Sequence, residues 1–594
     1  MRKLLKNLRI LLASNKEVFI KIGIIALAVL LVYFKSLSGD FIWDDDRYVQ
    51  NNHLLNSFGG LIKIWTEPAA TDQHYPATFS LFWIIKQLFG LKLFAFHLAS
   101  VILHALNAIL VWLILRYLKV KGSFLASLIF AVHPVCVESV AWIMELKNVL
   151  YVFFYLFSCL MYLLSYDAKK NKFLLYLLSL VLFIYALFSK TIACSMPIVI
   201  LLILWWRSNK VTFKDIVLLS PFFIAAIITG LITLIAENGF VVGADISDWS
   251  FSFIERCLIA GRAIWFYLGK AIWPFNLSFI YSRWVIDTHV WWQYLYTLFI
   301  IDLIGVPWIL KDKVGRGPLV LVLFFIITLF PALGFFNIYP MRFSFVADHF
   351  QYLSILGPII FVAYFLESLL EKKNICNCIK KVFLPLLILI LIFLSIRQTE
   401  IYKNKLTLYN DIIKKNPKCW MAYNNRGSFY QGKGQHDLAI TDFSKTLDID
   451  DRFALVYNNR GISFFHRKEY SSALADFNKS IRVEPLYDSA YFNRAKVYGI
   501  LKEYELALKD YNRVIKIKPR HEKAYIERGL IFALTKNFEF AVSDFSKAIE
   551  ITPQNIMLYQ NRAVVYKAMG EQAKAQEDYN RAKSLGLNVE VKGN

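Results

Sequence analysis

This 594-residue sequence is short of charge: Asp, Glu, Lys and Arg together make up 19% of it, against 57% hydrophobic residues. A soluble domain of ordinary usage carries about 25% charged residues, so most of this chain is expected to live in lipid. Cysteine is scarce as well. Cys136, Cys159, Cys194, Cys257, Cys376, Cys378 and Cys419 form an odd set, mostly in or beside apolar runs, where a cysteine behaves as a small hydrophobe. No disulfide framework is readable, and the C-x-C of Cys376 and Cys378 has no second Cys or His pair at zinc spacing, which argues against a structural metal. Charges inside the apolar runs are few, with Asp302 the clearest and isolated, whereas a transporter needs ionisable groups or broken helix pairs near the middle of its spans. Acidic residues are outnumbered 44 to 67, leaving a net charge of +23. That excess lies in short clusters between apolar runs rather than along one face, so it carries topology and no nucleic-acid partner is expected.

What is present is a series of apolar segments. A spanning helix needs roughly 20 mostly apolar residues, and about eleven such segments fall between residues 19 and 397. The basic start MRKLLKNLR precedes an apolar run from Phe19 to Phe34, and no A-x-A-like site follows, so that run is expected to be a retained first helix. Basic loops recur at Arg116 to Lys121, Asp167 to Lys172, Arg207 to Lys214, Lys311 to Arg316 and Glu371 to Lys381, and the positive-inside rule places them in the cytoplasm. The alternate loops face outward, among them the first outer loop around Asp44, the turns after His133 and after Ser189, residues 236 to 292, and the segment around Asp348. Between Cys257 and Trp292 an aromatic-rich stretch carries Arg262 and Lys270 and reads as partly interfacial. The count is odd, so residues after Arg397 are expected outside.

From Asn416 onward the chain repeats every 34 residues, the helix-turn-helix period of tetratricopeptide repeats. Tyr423, Tyr457, Tyr491, Tyr525 and Tyr559 keep that spacing, as do Arg426, Arg460, Arg494, Arg528 and Arg562, each followed by Gly or Ala. Ala439, Ala473, Ala507, Ala541 and Ala575 let paired helices approach, and Phe443, Phe477, Tyr511, Phe545 and Tyr579 fill the space beside them. The division expected is a membrane domain over 1–398, a connector over 399–415 and five repeats over 416–594. Asn425, Asn459, Asn493 and Asn561, with Glu527 in the fourth repeat, read equally as a ladder for a bound peptide backbone or as inter-helix polar contacts.

Chemistry, if there is any, belongs to the membrane part. Asp44, Asp45 and Asp46 follow Trp43 just beyond the first span; three adjacent carboxylates repel one another near lipid, so they mark either a solvated acidic loop or a general base, with a neighbour on a divalent cation. Lys147, Lys190, Arg262, Arg283 and Arg342 are cations on the face where the positive-inside rule disfavours them. Together they suit an anionic ligand such as the phosphate of a polyprenyl carrier. Asp348, His349, His133 and Glu138 lie on the same side, readable as site members or as packing polar groups.

These motifs resemble the transmembrane and tetratricopeptide repeat-containing O-mannosyltransferases and their bacterial relatives, within the GT-C glycosyltransferases. The resemblance rests on FIWDDDRYVQNN (41–52), FHLASVILHALNA (96–108), HPVCVESVAWIMELKNVL (133–150), FSKTIACSMP (188–197), AGRAIWFYLGKAIWPFNLSFIYSRW (260–284) and FNIYPMRFSFVADHFQY (336–352), together with the repeats. It implies an all-α fold, a polytopic GT-C-like helical domain followed by an α-solenoid. It also implies transfer of a sugar from a polyprenyl-phosphate donor to a Ser or Thr hydroxyl of a protein on the outer face. Asp44 and Asp45 match the acidic motif of the first outer loop, one of them as catalytic base; Arg262, Arg283 and Arg342, with Lys147 and Lys190 behind them, would hold the phosphate; Asp348, His349 and Glu138 would orient donor or acceptor. A divalent metal is left open, with Asp44 and Asp46 as its ligands if there is one. The location implied is a bacterial inner membrane with periplasmic repeats, or an endoplasmic reticulum with lumenal repeats. A non-catalytic anchor presenting the repeats to envelope assembly partners is the reading from another class.

Overall fold

The computed structural model describes residues 16–71, 73–241, 250–337, 339–371 and 377–590. The basic start MRKLLKNLR and Cys376 lie outside the described residues, as does part of the outer segment 236 to 292. The described residues form helices and turns without strands, in two units, Met1–Cys419 and Trp420–Asn594.

In the first unit eight described helices are long and apolar enough to cross a bilayer: Lys16–Ser38, Leu93–Tyr117, Ile143–Asp167, Lys172–Ser189, Thr191–Ser208, Phe213–Ala236, Gln293–Val314 and Val382–Lys403. A helix closes its backbone hydrogen bonds within itself, which is what lets an apolar segment dispense with water. A further pair, Ser123–Ala131 and Pro134–Ala141, is bent by 49° at its break, and Gly317–Ala332 and Leu356–Leu370 are shorter apolar helices. With the bent pair taken as one crossing, the described residues hold nine such spans, with the two shorter apolar helices beside them. The chain is an integral membrane protein.

The break has a local cause and a local remedy. Pro134 has no N–H to donate, so the helix cannot run through it. His133 accepts from the backbone N–H of Val135 at 3.3 Å and its other ring nitrogen meets the Ala271 carbonyl at 3.1 Å, tying up polar groups that the break exposes. Elsewhere small residues bring helices together. Ser158 and Ser179 bond one another at 3.0 Å where Ile143–Asp167 meets Lys172–Ser189, and Asn107 donates to the Val149 carbonyl at 2.9 Å.

The aromatic stretch after Cys257 forms a helix, Phe253–Ile272, that is not among the spans. Ser252 and Glu255 start it with reciprocal side chain to backbone bonds, the arrangement that satisfies the free N–H groups of a helix start. Residues expected as a connector include the helix Lys405–Lys415, which belongs to the first unit: Tyr409 packs on Trp43, and Lys415 donates to the Leu277 carbonyl at 2.5 Å.

The second unit is five helix pairs, from Trp420–Gly432 with His436–Ile449 to Ile556–Ala568 with Gln572–Glu590. In each, the periodic arginine grips an aspartate sixteen residues on with two parallel bonds: Arg426 to Asp442, Arg460 to Asp476, Arg494 to Asp510, Arg528 to Asp544 and Arg562 to Asp578. From the second repeat on, the remaining arm of the guanidinium reaches back to the preceding repeat, at Ser444, Asn478, Asn512 and Ser546. One side chain thus closes its own helix pair and joins it to its neighbour. The Gly-or-Ala position has a steric reason: a Cβ on Gly461 would lie 2.7 Å from the Phe477 ring. Alanine stands there only where the facing aromatic is a tyrosine, as with Ala495 and Tyr511. The asparagine ladder is partly spent on an inter-helix contact, since Asn493 donates to Asn458 of the preceding repeat at 2.8 Å.

Candidate active site

The loop after the first span turns sharply at Trp43, whose φ of +48° is a left-handed conformation that a bulky residue adopts only when its surroundings impose it. Its ring is held between Phe279, 4.9 Å away, and Tyr409, 6.1 Å away. The turn separates the three aspartates. Asp44 is exposed. Asp45 points inward, fully buried, and accepts from the N–H of Ile42 at 2.9 Å and of Met144 at 2.8 Å, one on each carboxylate oxygen. Asp46 opens a single wide turn, Asp46–Gln50, and pairs with Lys405 at 2.8 Å. Asp45 is therefore a staple between that loop and the turn after Ala141.

Burial pushes the Asp45 carboxyl up to about 8, against the pull of its two amide donors and with Asp44 and Asp46 adding to the rise. In an unfolded chain the same group would ionise near pH 4. Between those values the unfolded state releases its proton while the folded state keeps it, so the Asp45 contribution to stability falls as pH rises from about 4 to about 8 and is level above that. The melting difference between wild type and Asp45→Asn is expected to shrink by the equivalent of a few kcal/mol across that interval. A difference that stays constant or grows with pH would contradict this assignment.

Next to the Met144 amide lies a buried set of charges that three turns supply. Glu145 holds Lys147 at 2.9 Å and stands 3.7 Å from Lys190. Lys190 also donates to Asn148 at 2.6 Å, and Asn148 donates to the His349 carbonyl at 2.9 Å. The His349 ring meets Glu138 at 2.8 Å. Asp348, fully buried, receives the Tyr281 hydroxyl at 3.0 Å on both oxygens, and burial together with the Glu138 charge raises its carboxyl well above the usual range. Lys147, Lys190, Glu138, His349 and Asp348, which come from distant parts of the sequence, are thus gathered with Asp45 into one neighbourhood. The sequence reading missed Glu145, Asn148 and Tyr281. Glu145 was signalled by its place two residues from Lys147 in an otherwise apolar turn, since a lysine buried there needs a counter-charge.

The arginines stand apart from that set. Arg262 and Arg283 line a cavity of about 510 Å³ together with Trp284, Trp292, Asp287 and Gln293. Arg262 lies over the Trp284 ring at 4.5 Å, and Arg283 over Phe345 at 5.0 Å. Arg342 ends the turn Tyr339–Arg342 and is not part of that lining. The two places are joined through rings: Trp284 packs on Phe266 at 6.1 Å, Phe266 on Tyr281 at 4.8 Å, and Tyr281 holds Asp348. Among the described residues no three His, Cys, Asp or Glu side chains are grouped to hold a metal ion. Of the three aspartates, Asp45 faces its two amides and Asp46 faces Lys405.

Tetratricopeptide-repeat family profiles match residues 422–453, 489–521, 522–555 and 545–577. Among curated proteins the chain is similar to a protein O-mannosyl-transferase of Caenorhabditis elegans, 26% identical over 25% of this chain and 24% of that protein. It is likewise similar to protein O-mannosyl-transferase TMTC4 of Mus musculus, 29% identical over 25% and 24%, and to TMTC2 of Homo sapiens, 31% identical over 23% and 17%. The alignments span about a quarter or less of these relatives' length. Among solved structures, MamA matches with 21% identity over 28% of this chain and 96% of its own, at a TM-score of 0.27. YrrB, a tetratricopeptide-repeat protein, matches with 21% identity over 31% and 97%, also at 0.27.

Proposed function

We propose that the membrane unit is a glycosyltransferase that moves a sugar from a polyprenyl-phosphate donor to a Ser or Thr hydroxyl of a protein on the extracytoplasmic face. The observation that carries this reading is the convergence of the outer turns. One exposed carboxylate, Asp44, stands on a loop that Asp45 staples to a buried charge cluster, and an arginine- and tryptophan-lined cavity is joined to that cluster through packed rings. The similarity to proteins named O-mannosyl-transferases supports the same class of reaction. A phosphate suits the two guanidiniums of the cavity, and a sugar ring suits its tryptophan faces with Asp287 and Gln293 for hydroxyls.

In the reaction the acceptor hydroxyl gives its proton to Asp44. Its oxygen ends bonded to the sugar C1, and the bond from C1 to the phosphate oxygen breaks with the electron pair leaving on phosphate. Arg262 and Arg283 stabilise that departing charge, and Asp45 sets the position of the loop that carries the base. The location that fits is a bacterial inner membrane with the repeats in the periplasm, where they recruit the acceptor or a partner protein.

The test is transfer by the purified chain in nanodiscs, offered polyprenyl-phosphate sugars of several kinds and Ser/Thr peptides, with product read by mass. Arg262→Gln and Arg283→Gln are each expected to lower kcat/KM for the donor by about ten- to a hundredfold while the acceptor KM stays put. No transfer from any donor by a chain whose repeats still capture a partner would overturn the reading in favour of a membrane-anchored scaffold.

A further inference from the structure

We propose that the third repeat carries a docking groove for an acidic segment of a partner protein. The groove, of about 350 Å³, is lined by Tyr491 and Arg494 from the helix Asp488–Ile500 and by Lys509, Asp510, Arg513 and Lys516 from Tyr504–Ile517. Arg494 and Asp510 satisfy each other at 2.7 Å, which leaves the surplus charge with Lys509, Arg513 and Lys516. These three follow one another at i, i+4 and i+7 and so share one helix face, where like charges repel. Among the described residues none of the three is paired with a carboxylate, and Arg513 lies over the Tyr491 ring at 5.9 Å.

The other repeats act as internal controls. The position of Arg513 recurs every 34 residues as Lys445, Lys479, Lys547 and Arg581. In the first and fourth repeats the residue three further on is Asp448 or Glu550, which pairs with the cation at 3.8 Å and 2.8 Å. In the third repeat that neighbour is Lys516, and in the second it is Arg482. The helix pair folds alike with or without the internal partner, so folding does not require the surplus cations, and an anion from outside is what they are arranged to meet.

The chemistry selects the occupant. A lipid surface calls for a flat basic patch with apolar side chains to insert, whereas this is a short concavity walled by charge. A second copy of the chain carries the same net charge of +23, which opposes self-association through a basic face. An extended peptide places a carboxylate between three cations and an apolar side chain on Tyr491. The inference does not depend on the sugar-transfer reading.

The experiment is fluorescence anisotropy of a labelled glutamate- and tyrosine-containing peptide with the full chain in uncharged detergent. Binding that weakens with added salt is expected, as is a loss of about tenfold or more in Lys509→Glu/Arg513→Glu/Lys516→Glu. The corresponding glutamine variant, with its unfolding checked against wild type, separates loss of the site from misfolding. Lys547→Glu, in the repeat whose cation is already paired, should leave binding unchanged. Equal binding by wild type and both triple variants would overturn the proposal. So would capture of labelled oligothymidylate or phosphatidylglycerol vesicles through these three residues while the peptide fails to bind.

Discussion

Asp44→Asn is expected to lower sugar transfer by about a hundredfold or more while leaving the unfolding transition where it is, because a positioned general base is worth roughly 10²–10⁴ in rate and an exposed side chain contributes little to the fold. Asp45→Asn should also lose transfer, through a different cause and with a different signature. An asparagine amide cannot accept two N–H bonds on two oxygens, so either the Ile42 or the Met144 amide loses its acceptor in a buried place, and the staple between the loop and the buried cluster opens. That variant is therefore expected to unfold more readily and to lose the pH dependence assigned to Asp45. Turnover and melting, measured together on both variants, separate base from staple. An active Asp44→Asn beside a dead but fully stable Asp45→Asn would reverse the roles.

The path from sequence to site was uneven for physical reasons. Hydropathy and loop charge placed the polar outer turns on one side of the membrane, and contacts such as Asp45 to Met144, or Glu138 to His349, require those turns to be neighbours. Spacing in the chain holds no information about which of three consecutive aspartates turns inward. That was decided by the left-handed turn at Trp43, which depends on Phe279 and Tyr409 from far along the sequence. Glu145 had its neighbour Lys147 as a signal, but its second lysine, Lys190, is brought to it only by the fold. The cavity arginines could be named as outer-face cations, but their separation from the carboxylate cluster is a property of the packed aromatic tier around Trp284 and Tyr281. In the repeats the opposite held: Asp442, Asp476, Asp510, Asp544 and Asp578 keep the same 34-residue period as the arginines, so the clamp was in the sequence as two parallel ladders.

That clamp makes the largest stability prediction. In the second repeat Arg460 meets Asp476 through two bonds of 2.8 Å and reaches Ser444 of the repeat before it at 2.9 Å. The Asp476 side chain is 8% exposed, so removing its partner leaves a nearly buried carboxylate without its counter-charge. Arg460→Met is expected to cost about 3–5 kcal/mol, which would speed hydrogen exchange in the helices Ala454–His466 and Tyr470–Val483 by roughly a hundredfold or more. The double variant Arg460→Met/Asp476→Leu should recover most of that loss, because replacing both partners by apolar groups removes the stranded charge. In a solenoid each unit leans on its neighbours only, so protection in the helix Trp420–Gly432 should fall alongside, while that in Ile556–Ala568 changes little. Exchange that rises equally in all five repeats would mean that the unit unfolds as one body, and a double variant no better than the single would mean that the arginine matters through its bond to Ser444 and its packing rather than through Asp476.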